Sequence, residues 1–192
     1  PHNIPDEKEI AEFLDSVVPD SPITLRDRTI LEILYSTGIR NSELRNLTVD
    51  NLDLQAQKIF IKKGKGGKPK TVCIGEWLVP IIQKYLELSR PHFATNGTNV
   101  LFPSKNGRII TVGNLRDMVQ KYAKRFGTSK NITPHTFRHC CAKHLLQAGC
   151  DLRYVQEHLA HADIKSTIIY TELLTEDIKN AHAQFHPRQQ NF

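Results

Sequence analysis

A chain of 192 residues, 39% hydrophobic and 24% charged, has the composition of an ordinary soluble globular protein of one domain or two small ones. It holds no run of about eighteen apolar residues and no signal-peptide pattern, so neither a membrane span nor secretion is expected. A net charge of +6 and a pI near 9.2 favour an anionic partner, either nucleic acid or an acidic membrane surface, although many basic proteins bind neither. Four cysteines (Cys73, Cys140, Cys141, Cys150) form no paired framework and lie in apolar contexts, which suits a reducing cytoplasm. The chain opens on Pro1, as expected of a fragment from which a preceding domain has been left out.

In chain order, Asp6 followed by Glu9 predicts a capped helix start, with Ile10, Phe13, Leu14 and Val17 on one face. A second helix is expected from Pro22 to Thr37, apolar at Ile30, Leu31, Ile33 and Leu34 and stopped by Gly38. Asn41 is a candidate cap for a short third helix through SELRNL. The period then changes. Residues 58–61 and 71–74 are rich in β-formers and flank KKGKGGKPK, which predicts a hairpin with a long tip. Helices follow at about 75–89, 112–126, 134–148 and 152–160, with a last one from Thr175 to about Gln184 and a polar loop at 91–99. The expected class is mainly α with a small antiparallel β-sheet.

Five residues carry chemistry. Arg40 stands in TGIRNSEL, His135 and Arg138 in PHTFRH, His161 in LAHADIKSTIIY, and Tyr170 closes that string. His135 and Arg138, three apart, share a helix face. Two guanidinium forks suit one phosphate, imidazoles can bond its oxygens or move protons, and a phenol can attack phosphorus. A phenol with an ordinary pKa near 10 needs cations that favour phenolate and a base to take its proton. Each residue also has a plainer account: Arg40 paired with Glu43, Arg138 on a helix surface, the histidines as caps or core, Tyr170 as a buried aromatic. A metal site at His135, His139, Cys140 and His144 is weighed and set aside, because HExxH and CxxC patterns are missing.

The order and spacing of these strings resemble the tyrosine recombinase (phage integrase) family, including its Xer-type members, over roughly residues 5–180. The resemblance implies a catalytic domain spanning 1–192, with Arg40, Lys65, His135, Arg138 and His161 as the catalytic cluster and Tyr170 as nucleophile. It implies that Glu43 supports Arg40, and that a hairpin lysine acts as general acid. Lys65, within Gly64-Lys65-Gly66, is the best match, and Lys68 is the alternative because this hairpin is about one residue longer than the commonest Xer spacing. Three departures stand out. Ala160 occupies a position where glycine is common, HCCAKHLL replaces a small-polar run, and the family's N-terminal DNA-clamping domain is absent. The implied activity is site-specific cutting and rejoining of DNA through a 3′-phosphotyrosyl link, with no metal, ATP or other cofactor. The implied partners are double-stranded recombination sites and a homotetramer, or paired related recombinases.

Phosphate contacts are expected from Lys62, Lys63, Lys68 and Lys70 in the hairpin and from Arg116, Lys121, Lys124 and Arg125 on one helix, whose plainer reading is a solvent face. Residues 173–192, with an apolar stripe at Leu173, Leu174, Ile178, Ala181 and Phe185, either pack on their own domain or pass to a neighbouring subunit. Two rivals remain: a DNA-binding relative without turnover, and a topoisomerase of type IB acting alone.

Overall fold

The computed structural model describes residues 4–62 and 69–159, all within one packed unit, His2–Leu159. The expected last helix, the hairpin tip with Lys63, Lys65 and Lys68, and the segment with His161 and Tyr170 lie outside the described residues.

Helix α1 (Glu7–Ser16) starts where Asp6 accepts the backbone N–H of Glu9 at 2.8 Å and the Glu9 carboxylate reaches back to the Asp6 N–H. Its predicted apolar face is buried, and Phe13 packs edge-on against Phe126 at 5.7 Å and tilted against Phe137 at 5.9 Å. That one ring joins α1 to α5 (Val112–Phe126) and α6 (Pro134–Gln147).

Helix α2 (Pro22–Thr37) is the central element, packed against α1, α4 (Leu78–Lys84) and α6. A helix buried on most sides must satisfy its polar residues internally. Thr29 and Thr37 donate to the carbonyls of Leu25 and Ile33, each at 2.7 Å. Asp27 accepts from Arg26 Nη2 at 3.0 Å and from the Tyr122 hydroxyl at 2.9 Å, tying α2 to α5. Gly38 ends the helix in the left-handed region (φ 58°), and a Cβ there would lie 2.4 Å from Leu159 Cδ2. Glycine therefore serves both the turn and the close approach of α7 (Leu152–Leu159).

Three strands, β1 (Leu52–Asp53), β2 (Lys58–Ile61) and β3 (Lys70–Cys73), form an antiparallel sheet in chain order. Ile59 pairs with Val72 and Ile61 with Lys70, and Ile59, Ile61 and Val72 are buried. The paired strands of the hairpin appear, with β3 at 70–73, one residue earlier than the expected 71–74; the two-residue strand β1 is too short to leave a period in the sequence.

Three expectations shift. Helix α3 (Asn41–Arg45) is capped from Arg40, one residue earlier than expected, because the Glu43 carboxylate takes the Arg40 N–H at 2.9 Å. Helix α4 begins at Leu78, since Gly75–Trp77 form a turn in which the Trp77 ring lies where a Gly75 Cβ would stand. Before Pro91 the helix widens into a π-turn (Tyr85–Ser89), which puts Tyr85 and Ser89 on the buried side together, bonded to the carbonyls of Leu101 and Pro22 at 2.6 Å. The supposed loop at 91–99 contains short 3-10 turns at Arg90–His92 and Thr95–Gly97. The other helices, α5, α6 and α7, start within a residue of expectation.

Candidate active site

The site is built on the corner where α2 ends. Past Gly38, Ile39 turns inward and Arg40 begins α3. The Glu43 carboxylate, one turn on, holds that corner, accepting from the Arg40 backbone N–H (2.9 Å) and from Arg40 Nη1 (3.3 Å). Its remaining charge faces Lys70, whose Nζ lies 3.2 Å from Oε2; the Glu43 and Lys70 side chains are only 10% and 11% exposed. Burial pushes the Glu43 carboxyl up, but the Arg40 N–H, the Lys70 ammonium and the Arg40 guanidinium together outweigh it and hold the carboxyl below its ordinary range. Burial pushes Lys70 down against the pull of Glu43, and the charges of Arg138 and Arg40 push the same way.

Helix α6 supplies the second half. Thr133 caps it, accepting the Thr136 N–H at 3.3 Å, and Pro134 occupies the first turn, where its missing N–H costs nothing. His135 is exposed in that turn. Arg138 reaches back across the fold: Nη1 donates to the Gly38 carbonyl at 2.6 Å and Nη2 to the Leu159 carbonyl at 2.7 Å. One guanidinium thus bonds the end of α2 and the end of α7. Gly38 is two residues from Arg40, so Arg138 is anchored beside the corner that bears Arg40, and both guanidiniums lie within electrostatic reach of Lys70. That convergence is what a phosphate grip from two distant stretches of sequence requires.

The remaining α6 candidates separate. The His135 and His139 rings meet edge-on with centroids 4.4 Å apart. His144 instead bonds the Tyr35 hydroxyl at 2.9 Å and the Pro5 carbonyl at 3.1 Å, while Cys140 Sγ faces that same carbonyl at 3.8 Å. Among the described residues no group of three or more metal-ligating side chains gathers. The thiols of Cys140 and Cys141 are pushed up to about 12, mainly by burial, and behave as small core residues.

Of the candidate DNA contacts, Lys62, Arg116, Lys121, Lys124 and Arg125 are exposed, the last four along α5. Lys70 differs: composition groups it with the other hairpin lysines, but its ammonium lies inside, against Glu43. The signal was available, because a period of two back from Ile74 and Val72 places Lys70 on the inward face. Sequence reasoning also missed His158 of α7, a half-buried imidazole beside the end of α2 and within electrostatic reach of Lys70 and Arg138. Nothing in its local pattern separates it from a surface histidine.

Burial lowers His139, His144 and His158, with His135 and Arg138 adding to it at His139 and Lys70 adding to it at His158. The unfolded chain takes up these protons first, near the ordinary histidine pKa of about 6.5, so folded stability falls as the pH drops through that value. A melting temperature that declines from pH 7.5 to 5.5 is expected at constant ionic strength, and a flat profile would contradict the burial argument.

With the geometry in view, comparison with known proteins decides the kinship. The profile of the phage integrase family matches residues 5–177. The chain belongs to the phage integrase family. It is 39% identical over 184 residues to the tyrosine recombinase XerD of Vibrio vulnificus (strain YJ016), and 40% identical over 185 residues to that of Yersinia pestis. These alignments cover 95% of this chain and 60% and 61% of the relatives, so the chain spans about three fifths of their length. Among solved structures, XerA recombinase superposes with a TM-score of 0.81 at 31% identity, over 96% of this chain and 65% of that one. XerH bound to its palindromic difH substrate in a post-cleavage complex gives 0.77 at 26% identity, over 94% and 52%. The mainly helical class with one small antiparallel sheet is that of these neighbours.

Proposed function

We propose that this chain is the catalytic domain of a site-specific DNA recombinase, and that the domain occupies 1–192 with 173–192 as a C-terminal tail that either packs on its own domain or passes to a neighbouring subunit. The observation that carries the reading is the meeting of Arg40 and Arg138 at the Gly38 corner. Guanidiniums fixed in this way stabilise the charge that grows on the non-bridging oxygens of a pentacoordinate phosphorus. In this reading the Tyr170 oxygen attacks phosphorus, its proton passes to a base, and the bond to the 5′-oxygen breaks. Lys65 protonates that leaving oxygen, and His135 and His161 bond the phosphate. A 3′-phosphotyrosyl link remains, which the 5′-hydroxyl of a partner strand reverses. One phosphoester replaces another, so strand exchange needs no nucleotide hydrolysis.

The partners in this proposal are double-stranded recombination sites and three further copies of the chain, or of a related recombinase. The exposed cations of α5 and Lys62 supply phosphate contacts that weaken steeply with salt. The difH complex of XerH supports a DNA substrate, and four cysteines without a disulfide among those described suit a cytoplasmic setting.

Covalent trapping tests the proposal. Nicked suicide duplexes should yield an SDS-resistant protein–DNA adduct, with the labelled peptide containing Tyr170. Absence of adduct under every condition would point to a DNA-binding relative without turnover. Relaxation of supercoiled plasmid without sequence preference would point to a topoisomerase.

A further inference from the structure

We infer that Lys70 is a positioning residue for strand cleavage, holding the Arg40 guanidinium in place through the Glu43 carboxylate. The inference rests on the recombinase reading and adds to it a residue outside the six proposed catalytic positions. Three observations support it. Lys70 leaves the hairpin at the first position of β3, opposite Ile61, on the face that also buries Val72. A lysine on an inward strand face must meet a counter-charge, and Glu43 provides one at 3.2 Å. That same carboxylate holds Arg40 twice, once by backbone N–H and once by Nη1.

The carboxylate is therefore a bridge with a cation at each end, and both ends are fixed to different elements. Arg40 belongs to the corner between α2 and α3, and Lys70 to the root of the hairpin. Glu43 alone, on a short helix, would leave its side chain free to change rotamer and take the Arg40 guanidinium with it. Pairing with Lys70 removes that freedom. A shift of about 1 Å at a phosphate-gripping group is enough to cost on the order of a hundredfold in rate. The ammonium, nearly buried, is poorly placed to contact DNA, so its influence should fall on the chemical step and not on affinity.

The experiment uses a nicked suicide duplex carrying a sequence selected by the protein from a randomised duplex pool. Single-turnover adduct formation, duplex affinity and melting temperature are measured side by side. Lys70→Met is expected to slow adduct formation at least about tenfold with affinity within about twofold, and Lys70→Arg to restore the rate to within about threefold. If Lys70→Met does not fold, Lys70→Met with Glu43→Gln removes both buried charges together; that pair should fold and still cleave at least about tenfold slowly, since a neutral amide holds a guanidinium less firmly than a carboxylate. A wild-type rate in whichever of these variants folds, a loss of affinity as large as the loss of rate, or no rescue by arginine would each overturn the inference. Absence of adduct from the unaltered protein would overturn the recombinase reading and this inference with it. An active parent beside an unaffected variant would remove the inference alone.

Discussion

Replacing Arg138 with lysine is expected to slow covalent cleavage by about 10²–10³-fold while changing duplex affinity far less. The substitution keeps the charge, so long-range attraction to DNA survives. What it removes is the planar fork. Arg138 uses two nitrogens to hold the carbonyls of Gly38 and Leu159, 2.6 and 2.7 Å away. A lysine offers a single ammonium on a flexible stem and cannot reproduce that divergent pair. The Gly38 carbonyl sits in the left-handed turn that delivers Arg40, so its loss loosens both guanidiniums at once. Single-turnover adduct formation on suicide duplexes, set against a binding isotherm, measures the split. A variant cleaving within about tenfold of the parent would mean that charge alone suffices and that the carbonyl contacts are incidental.

The largest effect on stability is expected at Asp27, far from the proposed chemistry. Its carboxylate is 2% exposed and accepts from Arg26 Nε and Nη2 and from the Tyr122 hydroxyl. Arg26 in turn lies over the Phe93 ring at 4.7 Å and donates to the Pro103 carbonyl at 3.3 Å. Burial, reinforced by Asp27, keeps the Tyr122 phenol protonated well above its ordinary range, so that hydroxyl remains a donor throughout the accessible pH range. Asp27→Ala leaves Nε and Nη2 of the largely buried Arg26, and the buried Tyr122 phenol, without their acceptor. Breaking such a pair from one side costs about 3–5 kcal/mol. For a domain of this size that corresponds to a fall of roughly 6–20 °C in melting temperature. Asp27→Asn, which retains an oxygen for Tyr122, should lose less. Thermal melts followed by circular dichroism decide it, and equal melting points for the alanine variant and the parent would remove the network from the account of stability.

Much of this fold is legible in sequence because its signals are local. The pair Asp6 and Glu9, the proline at 22, the glycine at 38 and the proline at 134 mark helix ends by geometry that needs no tertiary context. The hairpin is legible through its period. What local pattern does not carry is decided by distant partners. The π-turn at Tyr85–Ser89 accompanies hydrogen bonds to Leu101 and Pro22, and the start of α3 depends on a carboxylate reaching back over one turn. In the site, residue types and spacing single out Arg40, His135 and Arg138, and the family resemblance adds Glu43. Spacing alone says nothing of the Gly38 carbonyl as the meeting point, because that requires α6 to lie across the end of α2. Lys70 is a different case: composition groups it with the tip lysines, although its parity along β3 faces it inward.

That parity makes the hairpin's root intolerant of slippage. A shift of β3 by a single residue would carry the ammonium out to water, turn Thr71 toward Glu43, and strip the carboxylate of its second cation. Added or deleted residues between Lys62 and Pro69 would leave the parity of β3 unchanged, whereas one inserted between Pro69 and Val72 would break the latch. Natural variation in length should therefore collect on the glycine-rich side of Lys70 and stop there.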